Sequence, residues 1–121
     1  MITIITRVED TQMPLDVDQH LWRQVRGAFQ TKSVVYVSSD EELQAALDNS
    51  SGARVFLEPT GEKGVNEIPD GDIVIVCGNT AMNNLAFAAP GETYSIKLPS
   101  QATHLYGSTA AGIALAVRHG Q

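Results

Sequence analysis

The chain has 121 residues, 43% of them hydrophobic, and its 14 acidic against 8 basic side chains give a net charge of −6. That length is enough for one domain over residues 1–121 with a core that needs no disulfide or metal staple, and too short for a second module. The negative balance opposes a broad footprint on a phosphate backbone, so charge gives no support to DNA as a partner and none to RNA.

Residues 1–6 alternate Ile and Thr, branched side chains suited to a strand. The same stretch lacks the charged start and cleavage pattern of a secretion signal, which makes a cytoplasmic location the expectation. Residues 7–14 form a polar connection to Pro14, which starts or precedes a helix that Asp16 or Asp18 can cap. Over residues 17–29, Val17, Leu21, Trp22, Val25, Ala28 and Phe29 recur at three- and four-residue spacing, the pattern of a helix with one buried face. Trp22 reads as core rather than as a stacking platform. Arg23 and Arg26 lie three apart on the same helix and face the same way, either as a small anion contact or as a solvated face.

Val34-Val35-Tyr36-Val37 is a second strand, and Ser38-Ser39-Asp40 then caps a helix whose first turn carries Glu41 and Glu42, where the dipole favours acids. A third strand, Arg54-Val55-Phe56-Leu57-Glu58, is stopped by Pro59. The loop over residues 60–71 has no clear periodicity, and a loop of that length in a compact domain is functional or mobile. Residues 72–77 form a continuous β-branched run that reads as a strand buried on both faces and is far too short to cross a membrane. Its Cys77, the single cysteine, reads as a small core residue and not a nucleophile.

Residues 81–89 are expected as a short helix, and Pro90-Gly91 turns the chain into a fifth strand, Tyr94-Ser95-Ile96-Lys97-Leu98, stopped by Pro99. The closing helix over residues 108–119 is apolar nearly all round and needs burial on more than one side, so a homodimer through this C-terminal helix is expected. Alternating strands and helices give an α/β fold with a mostly parallel five-stranded sheet between helices. Ligands of such sheets sit at the carboxyl ends of the strands, and the loops after Cys77 and Leu98 lie close enough in sequence to form one pocket.

His20, His104 and His119 lack ligand spacing, so no metal site is expected. Gly-x-Gly-x-x-Gly, Walker-type Gly-Lys-Ser/Thr and Gly-x-Ser-x-Gly patterns are absent. The ordered series Asp70-Gly71-Asp72-Ile73-Val74-Ile75-Val76-Cys77-Gly78-Asn79-Thr80, Ile96-Lys97-Leu98-Pro99 and His104-Leu105-Tyr106-Gly107-Ser108-Thr109-Ala110-Ala111-Gly112 resembles the last two motifs of the SPOUT (α/β-knot) methyltransferases. The ribose 2'-O-methylating branch has the greatest likeness. The resemblance implies a C-terminal trefoil knot, an S-adenosylmethionine site in the knot loops, RNA modification, and a homodimer with the last helix at its interface.

Carried over position by position, the resemblance implies cofactor contacts at Thr60 and Gly61, at Gly78 and Asn79, at Ile96, Leu98 and Pro99, and at Leu105. It implies catalytic roles for Arg23, with Tyr106 and Ser108 as hydrogen-bonding partners. Glycines and aliphatics suit an adenine slot lined by backbone groups. The catalytic motifs are degenerate: of the family's Asn-x-Gly-x-x-x-Arg only Arg23 remains, Thr80 stands for a glutamate, Asn83-Asn84-Leu85 covers a Gly-Leu, and Tyr106 replaces an asparagine. The expectation is therefore an S-adenosylmethionine-dependent RNA methyltransferase of the SPOUT class. The alternatives are a non-catalytic knotted homodimer serving as a ligand- or protein-binding module, and an unknotted flavodoxin-like or Rossmann-like domain.

Overall fold

A computed structural model describes residues 1–9, 13–78, 84–99 and 105–120. Six strands, β1 (Ile2–Arg7), β2 (Val35–Val37), β3 (Ala53–Leu57), β4 (Lys63–Gly64), β5 (Ile73–Cys77) and β6 (Thr93–Ser95), form one sheet in the order β2-β1-β5-β3-β6-β4. All the pairings between them are parallel. The helices are α1 (Leu15–Phe29), α2 (Asp40–Asp48) and α3 (Gly107–His119).

The period of two along each strand sorts side chains to opposite faces. In β5, Ile73, Ile75 and Cys77 join Trp22 of α1 and Ala111, Ala114 and Leu115 of α3, whereas Val74 and Val76 join Leu43 and Leu47 of α2. β5 is buried along its whole length, between β1 and β3 in the sheet and between two helical layers, which is why its sequence is a continuous apolar run. Trp22 is 1% exposed and belongs to the core, as its spacing predicts.

The five-strand expectation is corrected to six strands. The added strand, β4, is two residues long and lies in the loop expected to lack structure, too brief to leave an alternating pattern. A 3-10 turn, Val65–Glu67, follows it and buries Val65, while Ile68 closes over α3. β6 ends at Ser95 and not at Leu98: the last ladder bond from the β3 side is Glu58 N–H to the Tyr94 carbonyl at 2.9 Å, after which the chain turns back as the Gly61 N–H donates to the Glu58 carbonyl, and on the other side β4 ends at Gly64.

α1 begins at Leu15 behind Pro14, with no side-chain cap, so Asp16 and Asp18 act from within the first turn rather than as caps. α2 does have its expected cap: Ser39 Oγ accepts from the Glu42 N–H at 3.1 Å, and the Glu42 carboxylate accepts from the Ser38 hydroxyl at 2.9 Å. The helix expected over residues 81–89 reduces to a 3-10 turn, Leu85–Phe87, within the described residues. Asn79, Thr80 and His104 lie outside them, as does the segment 100–104 on which threading of the tail depends.

Two glycines are required by close approach. Gly52 has φ +122 and a Cβ there would sit 2.7 Å from the Asp72 carbonyl oxygen. A Cβ on Gly61 would run into the Tyr94 backbone, 2.6 Å from its N and O atoms. Gly61→Ala should therefore destabilise the fold by ~2–3 kcal/mol through overpacking, read as a lowered urea midpoint, whereas Gly27→Ala, where a Cβ meets open space, should cost nothing. Equal midpoints for the two variants would contradict the β3–β6 packing.

Candidate functional site

Parallel pairing brings the carboxyl ends of β1, β5, β3 and β6 to one edge, with Arg7, Gly78, Glu58 and Ile96 at or just past those ends. The turn into α3 closes on this edge. A Cβ on Gly107 would lie 3.2 Å from Cys77 Cβ and 3.5 Å from Trp22 Cζ2, so the absence of a side chain lets the turn press against the β5 exit. Burial pushes the Cys77 thiol up to about 12, with the negative charges of Glu58 and Asp18 adding to the rise, and its Sγ faces the Gly107 carbonyl at 3.8 Å. A thiol held protonated in this way is core, as its strand position predicts.

Among the expected site residues, the structure brings the Gly78 turn and the Tyr106–Ser108 turn together through Gly107. Ser108 is buried in the first turn of α3, and its Oγ has no hydrogen-bond partner among the described residues. Tyr106 is 55% exposed and Leu105 half-buried. Ile96 and Leu98 are half-buried and Pro99 is exposed. Thr60 is exposed, and Gly61 spends both backbone groups locally: its N–H donates to the Glu58 carbonyl at 3.1 Å and its carbonyl accepts from Ser95 Oγ at 3.3 Å.

Arg23 is not joined to these turns by any contact among the described residues. It is exposed and opens, with Arg26, into a cleft of about 260 Å³ between α1 and β2 that Trp22, Ser33 and Tyr36 also line. Asp18 stands nearby: burial raises its carboxyl above the usual range, and the proximity of the Trp22 indole offsets part of that rise. The Tyr36 phenol is raised by burial and by Asp18, against the opposing pull of Arg23.

The densest polar cluster at the strand ends was not expected from the sequence. Arg7 ends β1 with only 2% of its side chain exposed. Its Nε and Nη2 each donate to the Glu9 carboxylate at 2.6 Å, Nη2 also meets Asp40 Oδ1 at 2.8 Å, and Nη1 donates to Asn84 Oδ1 at 3.3 Å. The Glu9 bonds raise the Arg7 pKa, burial pulls the other way, and Asp40 adds to the rise. The Asn84 backbone N–H donates to Glu58 Oε1 at 2.9 Å, so one asparagine links residues from β1 and from just past β3. Asn84 itself is fully buried and its Nδ2 has no partner among the described residues. The usable signal was an arginine closing an apolar strand; a residue read as the start of a loop gave no reason to bury it.

Burial raises the Glu58 carboxyl above its ordinary value, and the Asn84 N–H bond recovers only part of the cost. The native state therefore takes up this proton at a higher pH than the unfolded chain does, so Glu58 lowers stability as pH rises from its unfolded value near 4.5 through its folded one. Urea unfolding from pH 4 to 7 should show that loss in the wild type and a flatter profile in Glu58→Gln. Parallel profiles would contradict the buried carboxylate.

No family model and no curated protein matches the sequence. Solved structures do match the fold. The SpoU methyltransferase AviRb from Streptomyces viridochromogenes superposes with a TM-score of 0.70 at 14% identity over 99% of this chain and 59% of that one. A Bacillus anthracis protein described as a candidate RNA methyltransferase gives 0.70 at 14% identity, covering 98% of this chain and 95% of its own. An AdoMet-bound rRNA methyltransferase from Sinorhizobium meliloti gives 0.70 at 16% identity, over 98% and 55%. The chain thus spans between half and two thirds of the Streptomyces and Sinorhizobium enzymes and nearly the whole of the Bacillus protein. Its architecture is that of the SpoU, or SPOUT, RNA methyltransferases. Among the described residues no helix is long and apolar enough to cross a membrane, and no cluster of His, Cys, Asp and Glu is suited to a metal.

Proposed function

We propose that the chain is an S-adenosylmethionine-dependent RNA methyltransferase of the SPOUT class, binding the methyl donor at the carboxyl ends of β3, β5 and β6. The observation that carries this is Ser108: a buried hydroxyl with no partner among the described residues, in the first turn of α3 and next to the glycine pressed on the β5 exit. A buried unsatisfied hydroxyl is costly, and a ligand oxygen or nitrogen at this edge would satisfy it. The half-buried Ile96, Leu98 and Leu105, with backbone at Gly78, fit an adenine slot, and Asn79, Thr60, Gly61 and Pro99 border it in the family pattern.

The bound donor supplies an electrophilic methyl on a sulfonium. The chain's part is alignment and proton handling, for which a small domain suffices. Ser108 orients the donor and Tyr106, exposed at the same turn, contacts the acceptor. Arg23 engages the acceptor strand, with Arg26 beside it as a second guanidinium for phosphate. Because Arg23 lines the cleft between α1 and β2 in the protomer, a homodimer through α3 completes the site, its seam drawing on the exposed Ile113 of α3 and on Leu15 and Val17 of α1. The C-terminal knot belongs to the same reading, and the return of α3 beneath residues 65–68, with Arg118 bonded to the Pro69 and Gly71 carbonyls, supports it.

A second reading, a knotted homodimer that binds a ligand or a protein without turnover, is favoured by the separation of Arg23 from the Gly78 turn within the protomer. Titration with S-adenosylhomocysteine separates binding from its absence: at a hundredfold excess over Kd the ligand should add about 2.7 kcal/mol of stability. Ser108→Ala should weaken binding about five- to tenfold. Arg23→Ala should abolish methyl transfer to bulk RNA and leave that binding intact. No heat and no thermal shift with either form of the cofactor would remove the methyltransferase reading. Binding without transfer by the wild type would select the second.

A further inference from the structure

We propose that Asn84 is a further ligand-contacting residue of the strand-end site, donating from Nδ2 to an oxygen of the bound methyl donor, and that Arg7 and Glu58 are its positioning residues. The proposal rests on the ligand-binding reading above.

The orientation of the amide follows from its neighbours. Arg7 carries only donors, so the atom 3.3 Å from its Nη1 must be the amide oxygen, and Nδ2 occupies the opposite corner. Arg7 is itself immobilised by the fork to Glu9 and by Asp40, and on the other side the Asn84 main chain is tied to Glu58 Oε1 at 2.9 Å. The two contacts use the amide oxygen and the main-chain N–H, and neither uses Nδ2. The amide nitrogen is therefore surplus to them. It is also a two-proton donor in a residue of 0% exposure, with no hydrogen-bond partner among the described residues. Such a group is retained where something else supplies the acceptor.

Place in the chain indicates the acceptor. Asn84 stands six positions after Gly78 in the chain and is bonded to Glu58, which immediately precedes the Pro59-Thr60-Gly61 turn bordering the proposed cofactor slot. The fitting partner is an oxygen acceptor of the donor molecule, its amino-acid carboxylate or a ribose hydroxyl.

Asn84→Asp is the discriminating variant, because it keeps an oxygen for Arg7 and the N–H for Glu58 and removes the donor. Its thermal midpoint should fall, because a carboxylate is added beside Glu9, Asp40 and Glu58 around one guanidinium, and below that midpoint S-adenosylhomocysteine should bind about tenfold more weakly by calorimetry. Loss shared by 5'-methylthioadenosine, which has no carboxylate, assigns the ribose; loss confined to S-adenosylhomocysteine assigns the carboxylate. Undiminished affinity for both overturns the proposal. A ligand-free readout separates this from failure of the methyltransferase reading. The Asn84 side-chain amide protons should exchange with water about tenfold more slowly in the wild type than in Arg7→Met, with Arg7→Lys recovering part of the difference. Equal rates overturn the positioning role even if neither ligand binds.

Discussion

The close approach of the Gly107 turn to the β5 exit governs the arrangement of everything C-terminal to the sheet. With no side chain between them, Gly107 and Cys77 bring the start of α3 onto the most buried strand of the molecule, and Ala111 and Ala114 keep the helix near the sheet. At the far end Arg118 bonds the carbonyls of Pro69 and Gly71, so α3 is fastened at both ends to segments flanking β5. A helix fixed in this way has little freedom to slide, and the polar groups of its first turn keep a constant relation to the strand ends. That constancy is what a ligand site at the edge of a parallel sheet needs.

The periodic parts of the chain were legible in advance. The Trp22-Val25-Phe29 stripe, the Ser39 cap with its following acids, and the unbroken run of β5 each combine local preference with burial, and each has the predicted place. What escaped was set by tertiary contact. β4 exists because Lys63 and Gly64 find Tyr94 and Ser95 beside them, and the 3-10 turn after it is held by Val65 and Ile68 against α3. β6 is short because the chain after Glu58 turns back on itself at Gly61 and leaves it no neighbour on that side. None of these causes is local to the residues concerned.

The candidate site rests on a different kind of reading. Ordered motif likeness, and not residue chemistry, singled out Gly78, Leu105 and Ser108, and the structure brings the turns that carry Gly78 and Ser108 together. The Arg7 network was missed because its members come from positions 7, 9, 40, 58 and 84, which no spacing rule connects. Buried charge of this kind is expensive unless fully paired, and here the guanidinium is surrounded by acceptors. Its cost is offset inside the cluster. Among the described residues the donor on Asn84 has no partner, which sets it apart from the paired groups of that cluster.

The pairing of Arg7 also divides the surface electrically. Glu9 and Asp40 consume its charge, and Glu41 and Glu42 continue the acidic run along the start of α2, so that side of the strand-end edge presents carboxylates. Arg23 and Arg26 stand together on α1, beside the cleft under Tyr36. Negative charge is repelled on the first side and attracted on the second, and that polarity fades as ionic strength shortens the Debye length. A protein of net negative charge can in this manner still impose a single direction of approach on a phosphate chain.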